Sequence, residues 1–405
     1  MANWHPIPTE TFDIPVHEAR RGYRSDAYFW RAKVALERAD LKRSALVQVF
    51  QRKDAVLCGV DETLAILKLC TGYYRDPQHA YALFDRYIAL KKTIRGLYYS
   101  ARDQRLTAQK EKLDLEAELD AQWVSTAGDL RVRTLRDGSI IGPWETVMTI
   151  EGPLHEFAHL ETLYLGVLAR RTKIATNVRR VVEAARGKPV FYFPARFDHW
   201  AVQGGDGYAA SIGGVDSVST DAQGEWWGQR GAGTIPHSLI AACKGDTLQA
   251  AEVFAESFPD ANLIALVDFH NDCVNTSLAV AEELGERLWG VRLDTSGTMV
   301  DKSVIPEMGR FAPTGVNPQL VRAVRKALDA AGHVHVRIIV SGGFDAAKIA
   351  HFEAEEVPAD IYGVGSSLVV GNHDFTADVV MVEGKPCSKK GRRFQDNHRL
   401  DEIAL

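Results

Sequence analysis

Short apolar or β-branched runs alternate with helical stretches through the second half of the chain, and this alternation most restricts what it can fold into. The runs are 189–193, 211–218, 263–268, 288–294, 335–341 and 360–364, with helical spacing of apolar residues over 276–284, 318–331 and 346–353. Repeated strand–helix units give a parallel sheet, open or closed into a barrel. A barrel of this kind places its chemistry at the carboxyl ends of the strands, and the unusual residues lie there. They are Phe193-Pro194-Ala195-Arg196, Val267-Asp268-Phe269-His270, Arg292-Leu293-Asp294-Thr295-Ser296, Ser341-Gly342-Gly343 and Gly363-Val364-Gly365-Ser366.

The first part of the chain has a different texture. Ser25 and Asp26 are placed to cap an aromatic-rich helix over 27–36, whose aromatics are expected to pack in a core. A β-like run at 45–50 and a helix at 61–70 follow, then a charged helical region over 76–122, expected to be scaffold or subunit contact. Alternation over 130–135, an Asp137-Gly138 turn and a run at 146–150 predict a small antiparallel sheet. Glu151-Gly152-Pro153 marks a boundary, after which helices are expected over 154–169 and 174–186. The expected organisation is an α+β domain over 1–152, with 376–405 packing on it, and an α/β domain over 153–375.

Composition removes several function classes. At 405 residues and 46% hydrophobic, the chain has apolar side chains enough for a large core. A net charge of -5 argues against nucleic acid and membrane surfaces as partners. The one basic run, Lys389-Lys390-Gly391-Arg392-Arg393, reads as a solvated tail or a phosphate-binding edge. Five widely spaced cysteines without a C-x-x-C pair indicate neither a disulfide framework nor a zinc site, and fit a reducing cytoplasm. The start, Met1-Ala2-Asn3-Trp4, has no leader pattern, and no apolar stretch is long enough to span a membrane.

The two glycine-rich strand ends are the most specific chemical signal. Each frees backbone N–H groups ahead of a helix, an arrangement suited to a phosphate. Arg292 and Asp294 sit two apart on a strand and face one side. Arginine grips phosphate or carboxylate bidentately, and aspartate holds a ribose hydroxyl or magnesium-bound water, though a structural ion pair would explain both residues too. Asp268 adds a second acid for magnesium. His237, in Gly233-Thr234-Ile235-Pro236-His237-Ser238, stands among hydroxyls at a helix start, where the dipole favours a neutral imidazole able to act as nucleophile or base. A lone histidine is more often structural, so its surroundings carry that assignment.

These residues resemble the nicotinate phosphoribosyltransferase family, the type II phosphoribosyltransferases that also include nicotinamide and quinolinate enzymes. The resemblance runs in order through Ser25-Asp26-Ala27-Tyr28, Ile150-Glu151-Gly152-Pro153, Glu161-Thr162, Ile174-Ala175-Thr176, Ile212-Gly213-Gly214-Val215-Asp216, residues 233–238, 292–297, 340–343 and 363–367. It implies an irregular, TIM-like parallel α/β barrel with an N-terminal α+β domain. It also implies that nicotinate attacks 5-phosphoribosyl 1-diphosphate to give nicotinate mononucleotide, with ATP hydrolysis coupled through phosphorylated His237. By the same resemblance Arg196 and Arg292 hold the diphosphate or the ring carboxylate, and Asp294 contacts the ribose or magnesium. Gly342, Gly343, Gly365 and Ser366 cradle the 5-phosphate. Tyr28 of one subunit stacks on the pyridine ring in another, opposite Phe193, which makes the protein a homodimer or higher. Ser296 belongs to the matching strand end. Ser219 and Thr220 stand where nicotinamide-using relatives carry an aspartate, favouring the acid substrate, with Asp221 close by. The zinc knuckle of some relatives has no counterpart around Cys387, so no structural zinc is expected. The rival readings are a nicotinamide enzyme, another sugar-phosphate barrel enzyme, or a non-catalytic ligand sensor.

Overall fold

The structure, a computed structural model, describes residues 4–97 and 101–405. Residues 1–3 of the leader reading and 98–100 of the charged helical region lie outside the described residues. Two compact units divide the chain: Met1–Thr172 with Asn372–Leu405, and Lys173–Gly371.

The first unit is built on a six-stranded sheet in which Phe375–Val382, Ser44–Gln51, Thr146–Pro153 and Arg131–Thr134 are neighbours, flanked by Lys385–Pro386 and Asp401–Ile403. All its strand pairs are antiparallel. Because side chains alternate across a strand, Val47, Val49, Met148 and Ile150 share one face. They bury it with helix Val60–Cys70 and with Phe157, Leu160, Tyr164 and Leu168. The carboxy-terminal residues enter this unit through the pairing of Phe375–Val382 with Ser44–Gln51. On the opposite face the basic run is neither a free tail nor isolated. The Arg392 guanidinium lies 5.2 Å from the Phe50 ring centroid and its Nε 2.8 Å from Asp378.

Three local expectations change. The helices expected over 154–169 and 174–186 are a short turn, Leu154–Phe157, a 3-10 turn, Ala158–Leu160, and one continuous helix, Glu161–Ala184. No breaker separates Ala169 from Ile174, so the hydrogen-bonded ladder runs on, and the division between units falls inside that helix rather than at Gly152-Pro153. The helix after Asp26 spans Ala27–Arg38, but Asp26 does not cap it through its side chain. Its carboxylate instead accepts from the Thr162 hydroxyl at 3.0 Å. The aromatics there are not a core: Tyr28 is 63% exposed, and Lys33 is the residue of this helix that is buried. The charged region forms helices Pro77–Gly96 and Arg102–Gln122, which meet through Leu83, Phe84 and Tyr87 against Leu115 and Leu119.

Glu161, in the first turn of the long helix, has its pKa raised to about 7 by burial and by the nearby charges of Asp378 and Asp26. A carboxyl whose folded pKa lies above its unfolded value binds its proton more tightly when folded. It stabilises below the unfolded pKa, and that contribution is lost as pH rises through about 7. Glu161→Gln is therefore expected to match the wild-type Tm at acid pH and exceed it above neutrality. Parallel Tm–pH curves for the two proteins would contradict this.

The second unit carries a six-stranded sheet in the order Leu263–Leu266, Leu288–Leu293, Arg337–Val340, Ile361–Val364, Val190–Tyr192, Ser217–Val218. Every pair in it is parallel. Helices Cys273–Leu284, Pro318–Ala330 and Ala346–Ala354 connect successive strands. Ile264, Ile339 and Ile361 fill the centre, with Phe191 and Trp289 packed on them. The run 211–218 is largely not a strand. Helix Gln203–Gly213 takes its first three residues and stops at Gly214, whose φ of +103° is the left-handed stop that glycine supplies, leaving only Ser217–Val218 as strand. The two ends of the sheet are joined through residues 231–235. Val218 bridges Gly231 in parallel, the Ala232 N–H donates to the Val218 carbonyl at 2.8 Å, and the Ile235 N–H to the Ile264 carbonyl at 3.2 Å. The sheet thus curls into an irregular α/β barrel.

Candidate active site

The carboxyl ends of adjacent barrel strands surround a cavity of about 90 Å³. Of the residues expected there, Phe193, Arg196, Arg292, Asp294, Gly342, Gly343, Gly365 and Ser366 all line it. Its wall is organised around Arg292. The guanidinium donates from Nε to the Ser341 hydroxyl at 2.9 Å, from Nη1 to the Thr234 hydroxyl at 2.9 Å and from Nη2 to Asp294 Oδ2 at 2.8 Å. Ser341 in turn donates to Asp294 Oδ1 at 2.7 Å. Arg292 and Asp294 are thus an ion pair and cavity lining at once, and the fork is held at fixed orientation by three partners from three chain segments. Its remaining surface faces the Phe193 ring, whose centroid lies 5.5 Å from Cζ.

Glycine makes this packing possible at two places. A Cβ on Gly363 would lie 2.8 Å from the Phe193 ring, and one on Gly365 would lie 2.8 Å from the Phe197 ring, so both rings rest on bare backbone. At the neighbouring strand end, Gly342 and Gly343 take successive positive φ values of +85° and +70°. Their N–H groups have no acceptor among the described residues, and consecutive free amides of this kind form a concave anion site. Arg196 has no carboxylate partner among the described residues. Its guanidinium stacks at 5.5 Å over the Phe197 ring.

His237 begins helix His237–Ala242 and is half exposed; its Nε2 lies 2.9 Å from Asp268 Oδ1. Burial pushes the Asp268 carboxyl up, contact with His237 pulls it back down, and the Asp294 charge raises it. The two acids are therefore electrostatically coupled. A buried carboxylate on one ring nitrogen fixes tautomer and ring orientation, leaving Nδ1 as the other reactive position. Among the described residues no group of three or more His, Cys, Asp or Glu could hold a metal ion. Asp294 spends both oxygens on Arg292 and Ser341, and Asp268 spends Oδ1 on His237, so the two carboxylates do not form a ready metal site.

Other expected residues are elsewhere. The Ser219 hydroxyl donates to Gln223 and the Thr220 hydroxyl to Gln203, each at 3.1 Å, while Thr220 also caps helix Asp221–Gly224. Ser296 bonds locally with Thr298, and Tyr28 stands exposed in the first unit. Thr234 was expected beside His237 but serves Arg292. Ser341 and Phe197 line the cavity although the strand-end motifs gave neither a role, and Lys348, beside the paired glycines, lay outside those motifs. Ser341 had a readable signal, since it directly precedes the paired glycines at a strand end.

No family model matches the chain. A nicotinate phosphoribosyltransferase of Mycobacterium tuberculosis is 30% identical over 300 residues, which is 69% of this chain and 62% of that protein. One from Bacillus subtilis is 27% identical over 324 residues, 77% of this chain and 60% of the relative. The chain therefore matches about three-fifths of the length of these relatives. Among solved structures, the nicotinate-nucleotide pyrophosphorylase of Pyrococcus furiosus superposes with a TM-score of 0.70 at 29% identity, covering 97% of this chain and 85% of that one. Human nicotinic acid phosphoribosyltransferase gives a TM-score of 0.61 at 19% identity over 92% of this chain and 77% of its own, which speaks to the fold alone.

Proposed function

The chain belongs to the nicotinate phosphoribosyltransferase family, and on that premise we propose that it joins nicotinate to 5-phosphoribosyl 1-diphosphate, releasing diphosphate and forming nicotinate mononucleotide for NAD biosynthesis. The observation that carries the reading is the triply held Arg292 beside the free amides of Gly342 and Gly343. In the proposed reaction the pyridine nitrogen donates its electron pair to C1 of the ribose as the C1–oxygen bond to diphosphate breaks, and both bonding electrons leave with the diphosphate. The amides of Gly342 and Gly343, with Gly365 and Ser366, hold the 5-phosphate, while Arg292 faces the developing charge of the leaving group. Magnesium comes with the diphosphate as part of the substrate, and Asp268 and Asp294 add at most outer contacts to it.

ATP enters through His237. Its free ring nitrogen attacks the γ-phosphorus, ADP departs, and water later hydrolyses the phosphohistidine to phosphate. Two features support the acid over the amide. Arg196 has no carboxylate partner among the described residues and is placed to take the ring carboxylate, and Asp221, next in sequence to the discriminating positions, accepts from the Gly231 N–H at 2.9 Å. Incubation with magnesium, 5-phosphoribosyl 1-diphosphate and nicotinate, nicotinamide or quinolinate, each with and without ATP, tests the assignment. Mononucleotide is expected from nicotinate, with ATP stimulating it; product from nicotinamide or quinolinate in its place overturns the reading.

The working protein is proposed to be a homodimer or larger in which Tyr28 serves the partner subunit's pocket, its flat ring supplying a stacking surface. Mixing Tyr28→Ala with Arg292→Ala subunits is then expected to restore up to about a quarter of wild-type activity, since random pairing puts both intact residues into one site of half the dimers. Stable mixed dimers with no recovered activity would refute site sharing.

A further inference from the structure

Lys348 lies in the first turn of helix Ala346–Ala354, behind the Gly342-Gly343 turn. Its ammonium donates to the Gly342 carbonyl at 3.3 Å and sits 4.2 Å from the Phe344 ring centroid. Its helix is fixed in turn, because the Asp345 carboxylate accepts from the Lys348 backbone N–H at 2.8 Å. No carboxylate of the described residues forms an ion pair with the ammonium.

The geometry has a direct consequence for the cavity. A trans peptide points its carbonyl and its N–H to opposite sides. The bond that draws the Gly342 carbonyl toward Lys348 therefore turns the Gly343 N–H the other way, on the side of the cavity that both glycines line. Two consecutive glycines have wide conformational freedom, so without an outside tie this peptide can rotate at little cost. Lys348 is that tie. Burial also holds its pKa below the ordinary lysine value, and Asp345 opposes this; an arriving phosphate favours the charged form further.

We propose that Lys348 is a positioning residue for the phosphate end of the substrate, holding the Gly342–Gly343 peptide so that its N–H addresses the 5-phosphate. This rests on the phosphoribosyl reading of the cavity. The test is calorimetric binding of ribose 5-phosphate to the full chain, together with steady-state kinetics, for the wild type, Lys348→Met, Lys348→Gln and Lys348→Arg. The methionine and glutamine variants are expected to bind ribose 5-phosphate about tenfold more weakly, the scale of one misdirected hydrogen bond to a charged group. The KM for 5-phosphoribosyl 1-diphosphate should rise by a similar factor, with the KM for nicotinate unchanged and kcat within about twofold, as expected when only ground-state binding is lost. Lys348→Arg, which can still donate to the carbonyl, should recover most of the affinity. Unchanged ribose 5-phosphate affinity in both neutral variants overturns the proposal, as does a parallel rise in both KM values, which indicates general damage. If the wild type binds ribose 5-phosphate in a Lys348-dependent way yet makes no mononucleotide, the positioning role stands and the proposed activity falls. If the wild type makes mononucleotide but Lys348 variants do so identically, the activity stands and this inference falls.

Discussion

Replacing Arg292 with alanine is expected to lower kcat/KM for 5-phosphoribosyl 1-diphosphate by about two to three orders of magnitude, the range for losing a preorganised donor aimed at developing charge. Two effects add. The guanidinium that faces the leaving group disappears, and Asp294 is left in the cavity without its cation, repelling a polyanionic substrate. Arg292→Lys should not rescue it. A single ammonium cannot reach Ser341, Thr234 and Asp294 together and still present a flat edge to the substrate. Steady-state kinetics with circular dichroism as a folding control checks this. A well-folded alanine variant with less than about tenfold loss would take Arg292 out of the central role.

His237→Ala is expected to abolish ATP hydrolysis while a slower, ATP-independent synthesis of mononucleotide persists, because the imidazole is the proposed phosphoryl acceptor and does not line the cavity around Arg292. Asp268→Asn sharpens the point. Asparagine fits the space but can present an N–H to Nε2, so the ring is held in another tautomer and Nδ1 loses its nucleophilic form; such a change costs a triad enzyme about four orders of magnitude. The variant should therefore resemble His237→Ala in phosphate release while keeping nicotinate binding. Phosphate release measured with all substrates present decides the matter: ATP turnover at the wild-type rate in His237→Ala would remove the residue from the coupling step.

The strand ends were legible in the sequence because a strand of short apolar residues stops where polar ones begin, and parallel sheets collect those stops on one side. Arg292 and Asp294 could be put on one face by parity alone. What parity could not supply was the partner from another segment: Thr234 and Arg292 are 58 residues apart, and only closure of the sheet by residues 231–235 brings that hydroxyl to the guanidinium. Ser219 and Thr220 were placed near substrate by resemblance, but a hydroxyl just ahead of a helix serves equally as a cap, and local hydrogen bonds claim both. Local runs also misled at 211–218, which reads as one strand although its first residues end a helix that stops at Gly214. A helix such as Gln203–Gly213 owes its place to tertiary contact: a Cβ on Gly207 would come within 1.9 Å of the Gln223 carbonyl oxygen. No local propensity reports that approach.

The way the ring is joined has a further consequence for its motion. Six of its staves are regular strands, whereas the seventh, residues 231–235, is fastened at its edges by the amides of Ala232 and Ile235. Local opening takes least free energy where the fewest main-chain bonds must break. Opening of the barrel at this seam would break the fewest of these bonds, and the seam carries Thr234 and leads into His237. A small parting there slackens one of the three cords on Arg292 while it moves the imidazole, so the softest hoop of the cask is also the one that joins the two chemistries.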